Sequence, residues 1–230
     1  IREAIHRQFK YLQLLARQYP NIRSVCTEIT NLRAILNLPK GTEHFLSDLH
    51  GEYEAFAHIL NNCSGVIREK VDRVFAGRLT EQQRGELCTL IYYPQQKLAR
   101  VKDSTPGMTE WYEITLLQLI DLCKVIASKY TRSKVRKAMP PEYSYIIDEL
   151  LHADYGVLNQ SLYYDKIMES ILALGSADDF IIALSSLIKH LAVDHLHIVG
   201  DIFDRGPRPD RIMDLLMEHH HVDIQWGNHD

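Results

Sequence analysis

Three short motifs combine carboxylates, histidines and an arginine in patterns that suit metal and phosphate chemistry. They are DLHG at 48–51, GDIFDRG at 200–206 and GNHD at 227–230. Asp48 and His50 are two residues apart, so at a strand end both side chains point to the same side and can bind one cation. Each motif alone is also explained by an ordinary turn or a surface histidine. Their ordered set, each after an expected strand, predicts one metal and phosphate site.

The middle motif offers the most varied chemistry. A structural interpretation is available, in which Asp201 and Asp204 cap a turn. In the functional interpretation, Asp201 bridges two divalent ions about 3.5–4 Å apart, and Gly200 lets the backbone approach them closely. Arg205 offers a planar donor fork to phosphate oxygens. His229 can protonate a leaving alkoxide near neutral pH, with Asp204 orienting it. Mixed oxygen and nitrogen ligands favour Mn, Fe, Zn or Co over calcium.

The elements that must position these motifs predict an α/β fold. EHFLSDLHG (43–51), HLHIVGD (195–201) and HVDIQWGNHD (221–230) indicate strands that end in the three motifs, the first of them short and buried. Helical patterns follow the first motif, and a helix with proline in its first turn is expected over 209–219. We therefore expect a mainly parallel sheet with its ligands at the carboxyl ends of the strands.

The rest of the chain is predicted to be helical. Residues 1–40 contain amphipathic helices, the first with Ile1, Ile5, Phe9, Leu12 and Leu15 on one face and the second over about 21–36. Residues 41–64 and 190–230 form the α/β core, and 65–189 form a helical insertion. Within the insertion, Thr80 and Gln83 predict a capping box, and 108–139 shows continuous helical periodicity.

Composition limits the classes of function. The net charge of −4, with 46% apolar and 24% charged residues, gives no sign of nucleic-acid or membrane affinity. Four scattered cysteines without a C-x-x-C pair argue against a zinc ribbon or a disulfide scaffold. With no signal peptide or spanning segment in the sequence, we expect a cytoplasmic protein.

The motif set resembles that of the calcineurin-like metallophosphoesterases. More closely, FLSDLHGEYEAFAHILNNCSG, GDIFDRGPRPD and WGNHD are similar to the class III fructose-1,6-bisphosphatases of Firmicutes-type bacteria. The long helical block between the first two motifs supports that resemblance, since protein serine/threonine phosphatases have a short connection there. The resemblance implies a partial calcineurin-like sheet and a gluconeogenic enzyme, typically manganese-dependent, that hydrolyses the C1 phosphate of fructose 1,6-bisphosphate.

The resemblance also implies residue roles. Asp48 and His50 would hold the first metal, Asp201 would bridge both, and Asn228 would bind the second. The nucleophile would be a water or hydroxide activated by the metals.

The remaining implied roles concern the phosphate and the leaving group. His229 would be the general acid, paired with Asp204, and Arg205 would grip the phosphate. Asn228 and His229 would complete the substrate contacts with Arg205.

One departure from the superfamily pattern concerns the second metal. The superfamily completes its metal cage with histidines downstream of G-N-H, and the sequence stops at Asp230. We therefore expect weak binding at the second site, poor activity of this chain alone, and a longer phosphatase of which it is the N-terminal portion. Two alternatives stay open: another phosphoesterase of the superfamily, acting on phosphoprotein or dinucleoside polyphosphate, and a non-catalytic assembly module.

Other notable segments are expected to be structural. His219–His221 are expected at a solvated helix end, and His195 and His197 as partnered sheet histidines rather than ligands. KYTRSKVRK (129–137) is expected as a solvated helix end with Lys129, Arg132 and Arg136 near one face, with an anion or effector site as the alternative. WYEITLLQLIDLCKVI (111–126) is expected in the core of the insertion or at a subunit contact of a homo-oligomer.

Overall fold

The computed structural model describes residues 8–104, 107–153 and 158–230. The chain divides into two compact units, Ile1–Lys40 and Gly41–Asp230. The first unit contains α1 (Phe9–Gln18) and α2 (Ile22–Ile35). Both predicted helices are therefore confirmed there, while Ile1 and Ile5 of the first one lie outside the described residues.

The second unit combines a small sheet with many helices. Its strands are β1 (Glu43–Ser47), β2 (His195–Gly200) and β3 (Val222–Trp226). Its helices are α3 (Tyr53–Asn62), α4 (Val66–Phe75), α5 (Glu81–Tyr92), α6 (Pro94–Ser104), α7 (Met108–Ala127), α8 (Arg132–Ala138), α9 (Ser144–His152), α10 (Leu158–Ala173), α11 (Ala177–Ala192) and α12 (Pro209–Glu218). The α/β class is confirmed, although helices dominate.

The three strands form a parallel sheet in the order β1-β2-β3. Leu46 and Ser47 lie beside Ile198 and Val199, and β3 continues the same direction. The carboxyl ends of all three strands therefore meet at one edge, as the sequence predicted. That edge carries the three motifs.

The two faces of the sheet differ in burial. Leu196 and Ile198 of β2 are buried in an apolar cluster with Phe56 of α3 and Ile212 of α12. The alternate residues face the other way, and Phe45 on β1 is 66% exposed. The expectation that β1 is a buried strand is therefore wrong, because within the described residues only one of its faces is packed.

The helices between α3 and β2 build a separate and larger core. Phe180, Leu184 and Ile188 on α11 are completely buried in it. From α7, Leu119 and Ile120 join them, also completely buried, which confirms the core alternative for the apolar segment at 111–126. Thr80 caps α5, its side chain accepting from Gln83 N at 3.2 Å, so the predicted capping box is confirmed.

The predicted single helix over 108–139 is wrong. Helix α7 ends at Ala127, and α8 begins at Arg132 after a turn. The Thr131 side chain caps α8 by accepting a hydrogen bond from Lys134 N at 3.3 Å. A threonine cap can offset the cost of starting a new helix, so periodicity alone did not locate the break.

The basic segment lies at this break, and ion pairs neutralise part of it. Lys129 precedes α8, so the predicted common face with Arg132 and Arg136 is wrong, and its Nζ donates to Thr42 Oγ1 at 3.1 Å. Arg132 pairs with Asp148 at 2.8 Å, and Lys134 pairs with Asp194. These contacts weaken the alternative of an anion site.

The histidine run at the end of α12 is not simply solvated. The His220 ring stacks on His190 with centroids 3.9 Å apart, and its Nε2 lies 3.0 Å from the Val193 carbonyl oxygen. His220 and His221 are nevertheless exposed, so the expected solvated helix end is confirmed for these two residues. The His220 ring joins the end of α12 to the end of α11.

Length and apolar composition decide whether any of the described helices can cross a membrane. None of them alone is both long and apolar enough to cross a bilayer. One sharply bent pair, Ser161–Ala173 with Ala177–Ala192, meets the requirement when its two members are taken together.

Candidate metal centre

The loops that follow β1 and β2 run side by side beyond the sheet. Asp48 N donates to Val199 O at 3.1 Å, and His50 N donates to Asp201 O at 3.1 Å. Gly51 N continues the pattern with a bond to Ile202 O of 2.8 Å. The first two motifs are therefore aligned by backbone hydrogen bonds rather than by side chains.

Both loops contain residues in the left-handed backbone region. Asp48 and His50 have φ of 53° and 47°, and Asp204 and Arg205 have φ of 65° and 70°. Such a conformation costs a non-glycine residue about 1 kcal/mol or more. Gly206 N donates to His50 O at 2.7 Å, which ties the two strained loops together. Strain concentrated in two tied loops is typical of functional sites.

This arrangement brings the first three predicted metal ligands together. Asp48, His50 and Asp201 each offer one ligand atom, and these atoms lie within 4.8 Å of one another. Asp201 is 7% exposed, and His50 Nδ1 is buried with no hydrogen-bond partner among the described residues. An unpaired ring nitrogen between two carboxylates is a donor set that fits a divalent transition-metal ion.

Two glycines make room for these carboxylates. Gly200 has φ +89°, and a Cβ there would collide with Asp48 Oδ1. At Gly227, a Cβ would collide with Asp201 Oδ1. The glycines thus admit the side chains of the site, whereas the sequence interpretation had Gly200 admitting a metal ion.

The third motif closes over Asp201. His229 N donates to Asp201 Oδ1 at 3.0 Å. Asp230 anchors the loop, since its Oδ1 accepts from Ile202 N at 2.8 Å and Phe203 N at 2.9 Å, and its Oδ2 from Gly227 N at 3.0 Å. Partial burial opposes ionisation of Asp230, but the three backbone donors outweigh it and lower its pKa.

Sequence reasoning did not select Asp230 as a site residue. Its position directly after G-N-H was the available signal. A carboxylate at that position can reach back to the amides of the second motif, which ties the third motif to the second at their shared edge.

The remaining predicted residues do not converge as closely. Asp204 lies 3.3 Å from Arg205 Nε, and within the described chain no hydrogen bond or ion pair joins it to His229. The Asn228 side chain is exposed and makes no polar contact with described residues. The arginine at the rim, 70% exposed, is free to meet an anionic ligand.

Fold and site define the class: an α/β protein with a candidate metal site at the carboxyl edge of a parallel sheet. The sequence profile described as Firmicute fructose-1,6-bisphosphatase matches residues 10–230. The chain therefore belongs to this family.

Curated relatives agree with this assignment. Proteins named fructose-1,6-bisphosphatase class 3 are 62% identical over 220 residues in Porphyromonas gingivalis, 57% over 228 in Clostridium novyi and 56% over 221 in Listeria monocytogenes. These alignments cover 96%, 99% and 96% of this chain and 34% of each relative. The chain thus spans about a third of the length of these relatives. No solved structure gave a significant match.

Proposed function

We propose that this chain carries part of the active site of a phosphatase that hydrolyses the C1 phosphate of fructose 1,6-bisphosphate. The observation that carries the proposal is the meeting of Asp48, His50 and Asp201 at the sheet edge. The names of its relatives favour the sugar bisphosphate over phosphoprotein or dinucleoside polyphosphate.

The proposed metal ligands divide into two sets. Asp48 and His50 hold the first ion, Asp201 bridges, and Asn228 belongs to the second. We take the native ion to be Mn²⁺, and when bound the pair supplies an activated water and neutralises phosphoryl charge. The second set is the poorer one, since it contains a single carboxylate and an exposed amide.

The other residues act on the substrate. Arg205 binds the phosphate through its planar guanidinium, and its exposure leaves that group accessible. His229 donates the proton to the leaving alkoxide, and its amide bond to Asp201 holds its backbone beside the metal ligands. Asp204 orients Arg205 in the unliganded arrangement, and we propose that it pairs with His229 once substrate occupies Arg205.

The wider assignments belong to the same proposal. The sheet is the first part of a calcineurin-like core, formed by 41–64 and 190–230 and interrupted by a helical insertion over 65–189. The enzyme is cytoplasmic, serves gluconeogenesis, and assembles as a homo-oligomer.

Phosphate release tests the proposal. Fructose 1,6-bisphosphate is offered with Mn²⁺ to the complete product of the gene and to this 230-residue chain. We expect Mn²⁺-dependent turnover by the complete product, much weaker turnover by the chain, and loss of turnover on Asp201→Asn. Asp165→Asn is the matched control, because that carboxylate is exposed on α10 and far in sequence from the three motifs.

The same assay separates the alternatives. Turnover of phosphopeptide or dinucleoside polyphosphate, without turnover of the sugar bisphosphate, would change the proposed substrate class. The proposed site residues would stay the same. No turnover of any phosphoester, with Asp201→Asn still binding Mn²⁺ normally, would contradict the proposal and favour an assembly module.

A further inference from the structure

A second group of side chains that can bind a metal ion lies on the open face of the sheet, the face that is not packed against α3 and α12. His195 and His197 alternate along β2, and Asp223 on β3 is the register partner of His197. Their side chains therefore point away from the face packed by Leu196 and Ile198. One ligand atom from each of the three lies within 4.8 Å of the others.

The contacts within this group leave ring nitrogens unsatisfied. Asp223 Oδ2 lies 2.9 Å from His195 Nε2 and 3.4 Å from His197 Nδ1. Nevertheless Nε2 of both histidines is buried and accepts or donates no hydrogen bond among the described residues. The carboxylate is close to His195 Nε2 but lies off the direction of a ring hydrogen bond, so proximity alone does not satisfy the ring.

Ring stacking holds these histidines side by side. The His195 and His197 rings lie 4.2 Å apart and nearly parallel, and His195 also stacks on His221 at 3.8 Å. An imidazole ring binds a metal ion through the lone pair of one of its nitrogens. The group therefore presents two lone-pair nitrogens and a carboxylate, which are the ligands that zinc-type ions prefer.

We propose that His195, His197 and Asp223 bind one divalent transition-metal ion of the zinc type. Donors at ordinary Zn–N and Zn–O distances lie about 3.4 Å from one another in a tetrahedral site. Asp223 Oδ2 lies 2.9 and 3.4 Å from its two ring nitrogens, close to that spacing. Glu43 Oε2, 3.8 Å from His197 Nε2, lies at the same place on β1 and is available as a further ligand. Asp223 is 65% exposed, which leaves the group open to ions from solvent.

This site is separate from the candidate catalytic centre. His197 lies three residues before the end of β2 at Gly200, roughly 10 Å along the strand from the edge that carries the first site. Ions of a binuclear centre lie about 3.5–4 Å apart, so the second site cannot be the partner of the first. Its ligands come from neighbouring strands, so the bound ion cross-links β2 to β3. The expectation of partnered sheet histidines agrees with the Asp223 contacts and the ring stack, and the metal site is proposed in addition.

Binding changes the stacking in a measurable way. Imidazole holds a metal ion in the plane of its ring, and two rings only 13° from parallel cannot both do so at once. One ring must turn towards Asp223 when the ion binds. Metal binding and the His195–His197 stack are therefore mutually exclusive.

The experiment measures how many Co²⁺ ions bind per chain of the complete gene product after its metal ions have been removed. Asp201→Asn serves as the background that removes the catalytic carboxylate. In this background we expect about one Co²⁺ per chain with the strong visible absorption of a four-coordinate site, competed by Zn²⁺. Adding Asp223→Asn or His197→Gln should abolish both the bound ion and the absorption.

A matched control uses His221→Gln, which changes the neighbouring stacked ring but no proposed ligand. We expect it to keep the ion and the spectrum. Circular dichroism of Asp223→Asn, an exposed position, checks that the fold is retained. The proposal is overturned by an Asp201→Asn protein that binds no Co²⁺, or by an ion that survives both ligand substitutions. Neither result bears on sugar-phosphate hydrolysis, which is measured separately.

Discussion

At the scale of single residues, Asp201 shows how the site is built. Its carboxylate is almost fully buried, accepts a hydrogen bond from His229 N, and lies against Asp48 and His50. A buried carboxylate with a single backbone donor is incompletely satisfied and is costly unless a cation joins it. A cation bound beside the Asp201 carboxylate would therefore stabilise the folded site.

The close approach at Gly200 gives a first prediction. In Gly200→Ala, the new Cβ would meet the Asp48 carboxylate at a φ of +89° that alanine tolerates poorly. We expect Mn²⁺ affinity to fall at least tenfold, about 1.4 kcal/mol, because Asp48 must move. Isothermal titration measures the affinity. Gly77→Ala is the control, with φ +76° and open space around its Cβ, and it should lose stability but not Mn²⁺ affinity.

Asp230 gives a second prediction at this scale. Asp230→Ala removes the acceptor of three backbone amides, so the loop that carries Asn228 and His229 loses its anchor. We expect phosphate release to fall by at least about tenfold. Mn²⁺ affinity should fall much less than turnover, because Asp48 and His50 lie on a different loop, after β1, and keep their backbone hydrogen bonds to the second motif. Equal losses of turnover and of metal affinity would contradict the anchoring role.

At the scale of elements, the sequence predicted what local chemistry determines. The cap at Thr80 and the alternating pattern of β2 were readable because each depends on neighbouring residues. The break after Ala127 was not, since an apolar face continues through it while Thr131 starts a new helix.

The candidate site divides in the same way. Its ligands were predicted because strand ends place side chains two residues apart together. Its anchoring by Asp230 was not predicted, because those hydrogen bonds join residues 28 and 27 positions apart in the chain. Contacts of that kind depend on the register of strands that sequence alone leaves open.

The histidines where α11 and α12 end predict a pH dependence of stability. Burial, reinforced by neighbouring histidines, lowers the pKa of His190 and of His219 to about 4. Below the unfolded value of about 6.5, the unfolded chain binds protons that the folded chain does not. Stability is therefore constant above that pH and falls as the pH drops from 6.5 towards 4.

Urea unfolding followed by circular dichroism at pH 7, 5.5 and 4.5 measures this loss. We expect about 2 kcal/mol over the range, and a shallower loss in His190→Gln. An unchanged slope in His190→Gln would show that other groups cause the acid sensitivity.

At the scale of the whole molecule, two cores must act together for the site to hold. The larger lies among the helices from α4 to α11, and the smaller lies between the sheet, α3 and α12. Helix α11 runs through the first core and leads, after Val193 and Asp194, directly into β2 of the second. Because β2 carries Asp201, we infer that the helical core stabilises the site through this connection.

The two tryptophans can test that coupling, since one packs against the helical core and the other, 79% exposed, lies on the sheet. Trp111 packs against the helical core, and Trp226 ends β3. Ile181→Ala removes a completely buried side chain from α11 and should cost about 2–5 kcal/mol. Each Trp→Phe change leaves a single tryptophan as the fluorescence probe. In both the Trp111→Phe and the Trp226→Phe background, we expect Ile181→Ala to shift the urea midpoint by the same amount. Ile29→Ala on α2, where the side chain is 45% exposed, should change stability by about 0.5 kcal/mol or less. A shift seen by Trp111 alone would mean that the sheet and its site fold independently of the helices that interrupt them.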